Sequence, residues 1–242
     1  MKIYTSALCC ALAAVPAACA TVNFSDGNFT SGWSDPHLVV VDSSNFSIVT
    51  SNPVTGGNPN FYRQEDHSGT RNGSAIDLAG FNMLALNSAA TYDPSSQGAI
   101  LSIDYAYDVI HLGGNVAVAV APGLSQGGKT YRFFNGGQAA IASVWSAIAA
   151  NGLTSFSFHE VTNSGVYATT IDANSHPDFS ASGGQITFGY IVANGWGGTI
   201  NATTGIDNWS VTLNTETPEP ATWSAMLIGL GAITAARVRR RG

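Results

Sequence analysis

Ile100-Leu101-Ser102-Ile103-Asp104-Tyr105-Ala106-Tyr107 alternates in character at every step. In an extended chain successive side chains point to opposite faces, so Leu101, Ile103, Tyr105 and Tyr107 share one side and Ser102, Asp104 and Ala106 the other. A helix would space its apolar positions three and four apart in turn, whereas here they recur at every second residue. It predicts a half-buried strand with one face on a core. Leu153 to Glu160 reads the same way, with Phe156 and Phe158 opposing Ser155, Ser157 and His159.

Outward from these two, further strands are expected at Thr21 to Phe24, Leu38 to Val41, Phe46 to Thr50, Phe61 to Arg63, Met83 to Leu86, Val116 to Ala121, Thr130 to Phe134, Ile186 to Val192 and Trp209 to Leu213. Turns rich in Gly, Asn, Pro and Ser separate them. Ten or eleven short strands with little helix imply an all-β fold, an antiparallel β-sandwich of jelly-roll type. Gln138 to Ala150 is the one helical competitor, with Ile141, Val144, Trp145 and Ile148 at helical spacing. It reads as a short helix or as a strand with a loop.

The two ends of the chain have a different character. Lys2, the apolar run Ile3 to Val15, and Ala18-Cys19-Ala20 form the three parts of an export signal, with Ala18 and Ala20 marking cleavage by signal peptidase before Thr21. All three cysteines, Cys9, Cys10 and Cys19, lie in that segment, so disulfides are not expected in the body. At the other end Pro218-Glu219-Pro220 precedes an uncharged run, Ala221 to Ala236, and the arginines Arg237, Arg239, Arg240 and Arg241. At ~1.5 Å per residue the run reaches about 24 Å, slightly less than a hydrocarbon core of roughly 30 Å. Its arginines would stay cytoplasmic and everything before Pro218 outside. The expected organisation is a signal helix over 1–20, one sandwich domain over 21–217, and a hydrophobic sorting helix within 218–242.

Four basic residues, Arg63, Arg71, Lys129 and Arg132, face fourteen acidic ones between Thr21 and Thr217, a net charge of about −10. Such a body repels polyanions, which excludes nucleic acid as a partner. No Gly-x-Ser-x-Gly elbow, His-Glu-x-x-His motif or phosphate-binding loop occurs, so no catalytic residue is assigned and an enzyme is not expected. Glu65-Asp66-His67 and His159-Glu160 are the densest titratable clusters. Glu65 and Glu160 would serve a glycan hydrolase or lyase only if they met across a cleft; otherwise they are solvated loop charges. His37, His67, His111, His159 and His176 lack metal-ligand spacing and read as loop or surface residues.

The aromatic side chains Phe61, Tyr62, Tyr105, Tyr107, Trp145 and Trp196 exceed what one core face absorbs, and sugar rings stack on exposed aromatic faces. Trp196, in the glycine-rich Asn194-Gly195-Trp196-Gly197-Gly198, is the best exposed candidate for glycan contact, and Tyr62 is a second. Trp33 and Trp209 read as core.

The tail Pro218-Glu219-Pro220-Ala221-Thr222-Trp223, its Met226-Leu227-Ile228-Gly229-Leu230-Gly231 run and its arginines resemble the PEP-CTERM sorting signal of Gram-negative bacteria, also called the ice-binding protein C-terminal domain. The resemblance implies an exosortase-type transpeptidase that recognises Pro218, Glu219 and Pro220, transient anchoring in the inner membrane, and delivery to the cell surface or an exopolysaccharide or biofilm matrix. An anchor that is never cleaved is the alternative. No Thr-x-Thr array supports ice binding. In the body, Phe24-Ser25-Asp26-Gly27-Asn28-Phe29 with Gly32-Trp33, and Gly205-Ile206-Asp207-Asn208-Trp209-Ser210-Val211, resemble the opening and final strands of carbohydrate-binding-module jelly rolls. Gly56-Gly57-Asn58-Pro59 and Tyr92-Asp93-Pro94-Ser95 are similar to laminin-type sandwiches. The function expected is a non-enzymatic exported surface or matrix protein, with a carbohydrate-binding module as the alternative.

A structural calcium ion is the one cofactor expected. Counting back by two from Trp209, Val211 and Leu213 puts Asp207 on the inward face, and a buried charge must be paired or bind metal. The carbohydrate-binding resemblance implies that Asp26 and neighbouring carbonyls meet it, a hard-oxygen set suited to Ca²⁺. The alternative is that Asp207 lies wet at the strand end or accepts backbone N–H bonds near Gly205.

Overall fold

The computed structural model describes residues 19–30, 32–40, 47–70, 79–116, 118–134, 138–139, 143–163, 169–196 and 199–216. The sorting residues Pro218, Glu219 and Pro220, and Ala18 of the signal, lie outside them.

The decisive stretch opens strand β6 (Ile100–Gly114), and Ile103, Tyr105, Tyr107 and Val109 along it are buried. Leu101 departs from the expectation and is 49% exposed, whereas Ile100 is buried. The cause is a register irregularity: on the neighbouring strand β14 (Thr199–Glu216), Asn214 faces Ser102 but Thr215 faces Ile100. One extra residue on β6 reverses the phase of everything before it.

Twelve further strands among the described residues complete two antiparallel sheets. The smaller sheet runs β10 (Ser146–Leu153), β6, β14, β4 (Arg63–Thr70) and β3 (Ser47–Ser51), with β1 (Cys19–Asp26) also on β14. The larger runs β12 (Thr169–Asp172), β11 (Phe158–Asn163), β8 (Lys129–Phe133), β7 (Ala119–Gln126), β13 (Ile186–Trp196), β5 (Ala79–Tyr92) and β2 (Trp33–Val40), with β9 (Gln138–Ala139) on β7. Ala20–Pro218 forms one compact unit. Strand β1 includes Cys19 and Ala20, upstream of Thr21.

Facing side chains of both sheets make one core, in which Tyr105 and Tyr107 of β6 meet Val120 and Leu124 of β7 and Phe188 and Tyr190 of β13. The tyrosines do not overflow it, contrary to the aromatic argument. Tyr105 Oη donates to the Gly123 carbonyl at 3.0 Å and Tyr107 Oη to that of Val120 at 2.9 Å, so each crosses the sandwich and finds an acceptor on the far sheet. A buried phenol needs such a partner. Trp209 is fully buried and Trp33 packs edge-on against it at 5.1 Å, as expected of core residues.

Gln138 to Ala150 forms no helix where it is described: Gln138–Ala139 is β9 and Ser146 onward is β10, whose exposure alternates as it pairs with β6. Phe156 is 73% exposed because Ser155–Ser157 is a 3₁₀ turn that breaks the strand phase before Phe158. The α-helix at Pro94–Gln97, capped by Asp93, has four residues, and no helix among the described residues is long and apolar enough to cross a membrane.

The larger sheet has a second apolar cluster, Leu84, Leu86, Val161 and Ile191, on the face opposite the core. Tyr190 and Val192 point into the sandwich, so Ile191 between them points out, and it is nonetheless fully buried. The sheet curls enough for β11 to approach β2 and β12 to approach β5. The hollow of that face is filled by aliphatic side chains.

Candidate functional site

Strand β4 carries the most unusual chemistry. Its inward positions are Arg63, Glu65 and His67, spaced by two and 4%, 0% and 1% exposed. This corrects two expectations: Glu65-Asp66-His67 is part of a strand held between β3 and β14, and His67 is interior rather than a surface residue. From the opposite sheet Tyr190 Oη donates to Glu65 Oε1 at 2.6 Å. Glu65 Oε2 lies 3.4 Å from His67 Nε2, and Arg63 Nε lies 3.8 Å from Glu65 Oε1. Burial raises the Tyr190 phenol well above its ordinary range, and the nearby Glu65 charge raises it further. Thr204, which faces Glu65 across the β14 ladder, has its hydroxyl buried without a hydrogen-bond partner among the described residues. Desolvating this row is costly, so its opposite charges have to compensate each other.

Arg63 is also where the row reaches a cavity of about 270 Å³, whose other walls are Phe29, Thr30, Trp33, Thr50, Ser51 and Asn52. The turn after β1 builds one side of it. Asp26 Oδ1 accepts the N–H groups of Asn28 and Phe29 at 2.9 and 2.8 Å, a local aspartate turn, and Phe29 takes the left-handed conformation at φ 50°. Asp26 Oδ2 accepts Trp33 Nε1 at 2.9 Å, which fixes the indole. Between them Gly32 has φ 85°, and a Cβ there would lie 2.8 Å from Asn87 Oδ1, so the close approach requires glycine. Asn52 Nδ2 donates to the Phe29 carbonyl at 2.8 Å and ties the end of β3 to the same turn. The Arg63 guanidinium carbon lies 5.8 Å from the Trp33 ring centroid, within cation–π range.

The expected calcium pair is arranged differently from the expectation. The Asp26 turn does reach Asp207, since a Cβ on Gly27 would lie 3.9 Å from Asp207 Oδ1. Asp26, however, spends its oxygens on its own turn and on Trp33. Asp207 is 1% exposed and accepts the N–H groups of Asn208 at 2.6 Å and Asn58 at 2.5 Å. It thus accepts backbone donors, from Asn58 and Asn208 rather than from Gly205. Asp108 faces it in the ladder, with Oδ2 accepting the side-chain amides of Asn58 and Asn208 at 3.1 and 2.7 Å. Burial raises the Asp207 carboxyl, its two backbone bonds lower it, and Asp108 raises it again. Among the described residues no group of three or more His, Cys, Asp or Glu is arranged to hold a metal.

The expected glycan contacts are not brought together. Tyr62 is buried, donating to Gln64 Oε1 at 2.8 Å with its ring edge-on to Trp145 at 5.6 Å, so it offers no open face. Trp196 is the last residue of β13, opposite Ala79, where a loop was expected; its side chain lies outside the described residues. Glu160 is held near the surface by Lys129 Nζ at 2.6 Å and Ser175 Oγ at 2.5 Å, whereas Glu65 is fully buried, so the two do not open on a common cleft as a glycan hydrolase's carboxylates would.

Sequence reasoning missed Arg63, His67, Tyr190 and Trp33 as site residues. The two-residue spacing of Arg63, Glu65 and His67 was the available signal, and it is hidden because Gln64, Asp66 and Ser68 between them are polar too.

No curated protein matches the chain in sequence. Among solved structures, the family 11 carbohydrate-binding module of the cellulosomal cellulase Lic26A-Cel5E of Clostridium thermocellum is 13% identical, with a TM-score of 0.41 over 83% of this chain and 99% of that one. The CBM22-1 xylan-binding domain of Paenibacillus barcinonensis Xyn10C is 9% identical, with a TM-score of 0.38 over 85% and 100%. The mannan-recognising module TmCBM27 is 11% identical, with a TM-score of 0.38 over 81% and 96%. Likeness at this level bears on no residue or ligand. Residues 216–241 match the PEP-CTERM protein-sorting motif, which implies an exported, exosortase-sorted protein.

Proposed function

We propose that the chain is a non-enzymatic protein of a Gram-negative cell surface or extracellular matrix, processed by an exosortase-type transpeptidase at Pro218-Glu219-Pro220 and associated with exopolysaccharide. The single observation that carries this reading is the sorting motif over 216–241. Before processing, the run from Ala221 to Ala236 holds the chain in the inner membrane. Intact-mass and localisation measurements on the native protein test it. A mass that ends between Thr217 and Ala221, in the surface or matrix fraction, is expected; a full-length mass in the cytoplasm ends the reading.

The second reading is a carbohydrate-binding module, and the cavity beside Trp33 and Arg63 favours it. The mature protein on an array of glycans is expected to retain at least one saccharide reproducibly, whereas a blank array returns the chain to a purely structural role.

A structural calcium ion belongs to the same reading. Its support is that Asp207 and Asp108 face each other in the ladder, where the charge of Asp108 raises the Asp207 carboxyl and a divalent cation would relieve the repulsion. Their carboxylates are hard oxygens of the kind Ca²⁺ takes; Asp26, the other expected ligand, serves its turn. Saturating Ca²⁺ is expected to raise the melting temperature by preferential binding to the folded state, and Asp207→Ala to remove the increment. An unchanged melting curve when EDTA is added to the calcium-loaded protein overturns it.

A further inference from the structure

We infer that His159 and His176 form a surface site for a divalent transition-metal ion of the Zn²⁺ kind. Their ring centroids lie 5.1 Å apart, with the planes at 69°. Two imidazoles that share a tetrahedral ion, each with a metal–nitrogen bond of about 2.0–2.1 Å, place their centroids about 5 Å apart. The pair already stands at the separation that chelation needs.

Two chain segments hold the rings in place without an ion. His159 is on β11, and His176 lies in the stretch after β12 that is strapped along β11. The Glu160 N–H donates to the Ser175 carbonyl at 3.0 Å, Ser175 Oγ to Glu160 Oε2 at 2.5 Å, and His176 Nδ1 to the Phe158 carbonyl at 2.8 Å. Lys129 Nζ, from β8, closes the strap by donating to both Glu160 Oε2 and Ser175 Oγ. Exposed phenyl rings flank the imidazoles on either side: Phe134 stacks on His159 at 4.8 Å, and Phe156 meets His176 at 5.0 Å with the planes at 64°. Little ordering remains to be done when a ligand arrives.

The nitrogen atoms are available as well. A carbonyl only accepts, so His176 Nδ1 carries the ring proton and Nε2 keeps its lone pair. A backbone carbonyl on the second nitrogen is the usual support of a metal-binding histidine. His159 Nδ1 is buried without a hydrogen-bond partner among the described residues, so this ring has an unsatisfied nitrogen. Both residues are half-buried rather than sealed in the core. Imidazole suits Zn²⁺, Cu²⁺ and Ni²⁺, whereas Ca²⁺ takes oxygen, which separates this pair from Asp207 and Asp108. The acidic body draws cations towards it. Lys129 is compensated by Glu160, but Arg132, opposite His159 in the ladder, opposes an incoming cation. With two protein ligands the ion keeps positions open to water or to a partner's ligand, unlike a closed structural site.

The test titrates the mature protein with Zn²⁺ in an excess of Ca²⁺, which keeps the carboxylates occupied, and follows calorimetry and the ¹⁵N signals of the histidine rings. Saturable binding that shifts the signals of both His159 and His176 is expected. His159→Gln and His176→Gln are each expected to weaken it tenfold or more. His176→Gln also removes the bond to the Phe158 carbonyl, so melting temperatures accompany both variants, and His159→Gln with the wild-type ring signals decides if His176→Gln melts lower. Zn²⁺ that binds both variants as well as the wild type, or that leaves the two rings unshifted, overturns the site, as does a titration without saturable binding. Loss on one substitution alone, with both variants folded, overturns the shared ion. Ca²⁺ that shifts the same ring signals by itself overturns the assignment to a transition metal.

Discussion

Glu65→Leu is expected to destabilise the sandwich by about 3–5 kcal/mol, the usual result of removing one partner from a buried ion pair. The carboxylate is fully buried, and three groups converge on it: Arg63, His67 and the Tyr190 hydroxyl. Leucine fills comparable space but leaves Arg63 without its carboxylate and Tyr190 Oη without its acceptor. The second loss alone is worth about 1–3 kcal/mol. For a domain whose total stability is about 5–15 kcal/mol, this is the largest single-residue effect the structure suggests. Glu65→Gln, which keeps an acceptor for Tyr190 and loses the charge, should fall between wild type and leucine. The double variant Arg63→Met with Glu65→Leu should recover much of the loss, because replacing a buried pair by apolar groups of similar size is often neutral. Urea denaturation of wild type, Arg63→Met, Glu65→Leu and the double variant measures the cycle, with Glu65→Gln alongside. A loss below about 1 kcal/mol for Glu65→Leu would mean that the carboxylate is solvated and the row is not a buried network.

The same row shows where the sequence stops being readable. Strand β6 was legible because its two faces differ: Tyr105 and Tyr107 alternate with Asp104 and Ala106. Strand β4 was not, since polar residues occupy both of its faces and hydrophobic alternation is silent there. What holds Arg63 and Glu65 inside is their opposite charge and the Tyr190 hydroxyl, which comes from 125 positions away, with the His67 ring beside the carboxylate. No local pattern encodes a partner at that distance. Leu101 and Phe156 failed for a different reason, in that alternation was present but a register shift and a 3₁₀ turn each reset its phase. The tyrosines were placed on the right strand and given the wrong role. Composition counts rings, but only the facing sheet shows that Gly123 and Val120 supply the carbonyls that let phenols be buried.

Of the site, the backbone part was more legible than the pocket. Asp26, Gly32 and Trp33 drew notice as one motif, and the structure shows a physical reason for each. Asp26 closes the turn and anchors the indole, and Gly32 passes Asn87 where a Cβ would collide. The other wall comes from Thr50, Ser51 and Asn52 at the end of β3, residues with no distinguishing chemistry until the fold sets them opposite Trp33.

Replacing Pro218-Glu219-Pro220 by three alanines is expected to stop release of the protein entirely and to leave the full-length chain in the inner membrane. Two parts of the tail act independently, which is what makes the outcome specific. The uncharged run from Ala221 to Ala236 and the arginines after it are untouched by the substitution. On the proposed reading the run is therefore expected still to insert, since as a helix it would reach about 24 Å, and Arg237, Arg239, Arg240 and Arg241 are expected still to resist translocation. Only the residues proposed as the processing signal are gone. The β-sandwich should fold normally outside the cytoplasm, because its ordered strands end at Glu216, before the substitution. Fractionation and intact mass distinguish the possibilities: the variant retained at full length in the membrane supports processing at this motif. A variant released at the same rate and mass as the wild type ends the exosortase reading. A wild-type chain that is itself full length and membrane-bound identifies the tail as a permanent anchor with the same topology.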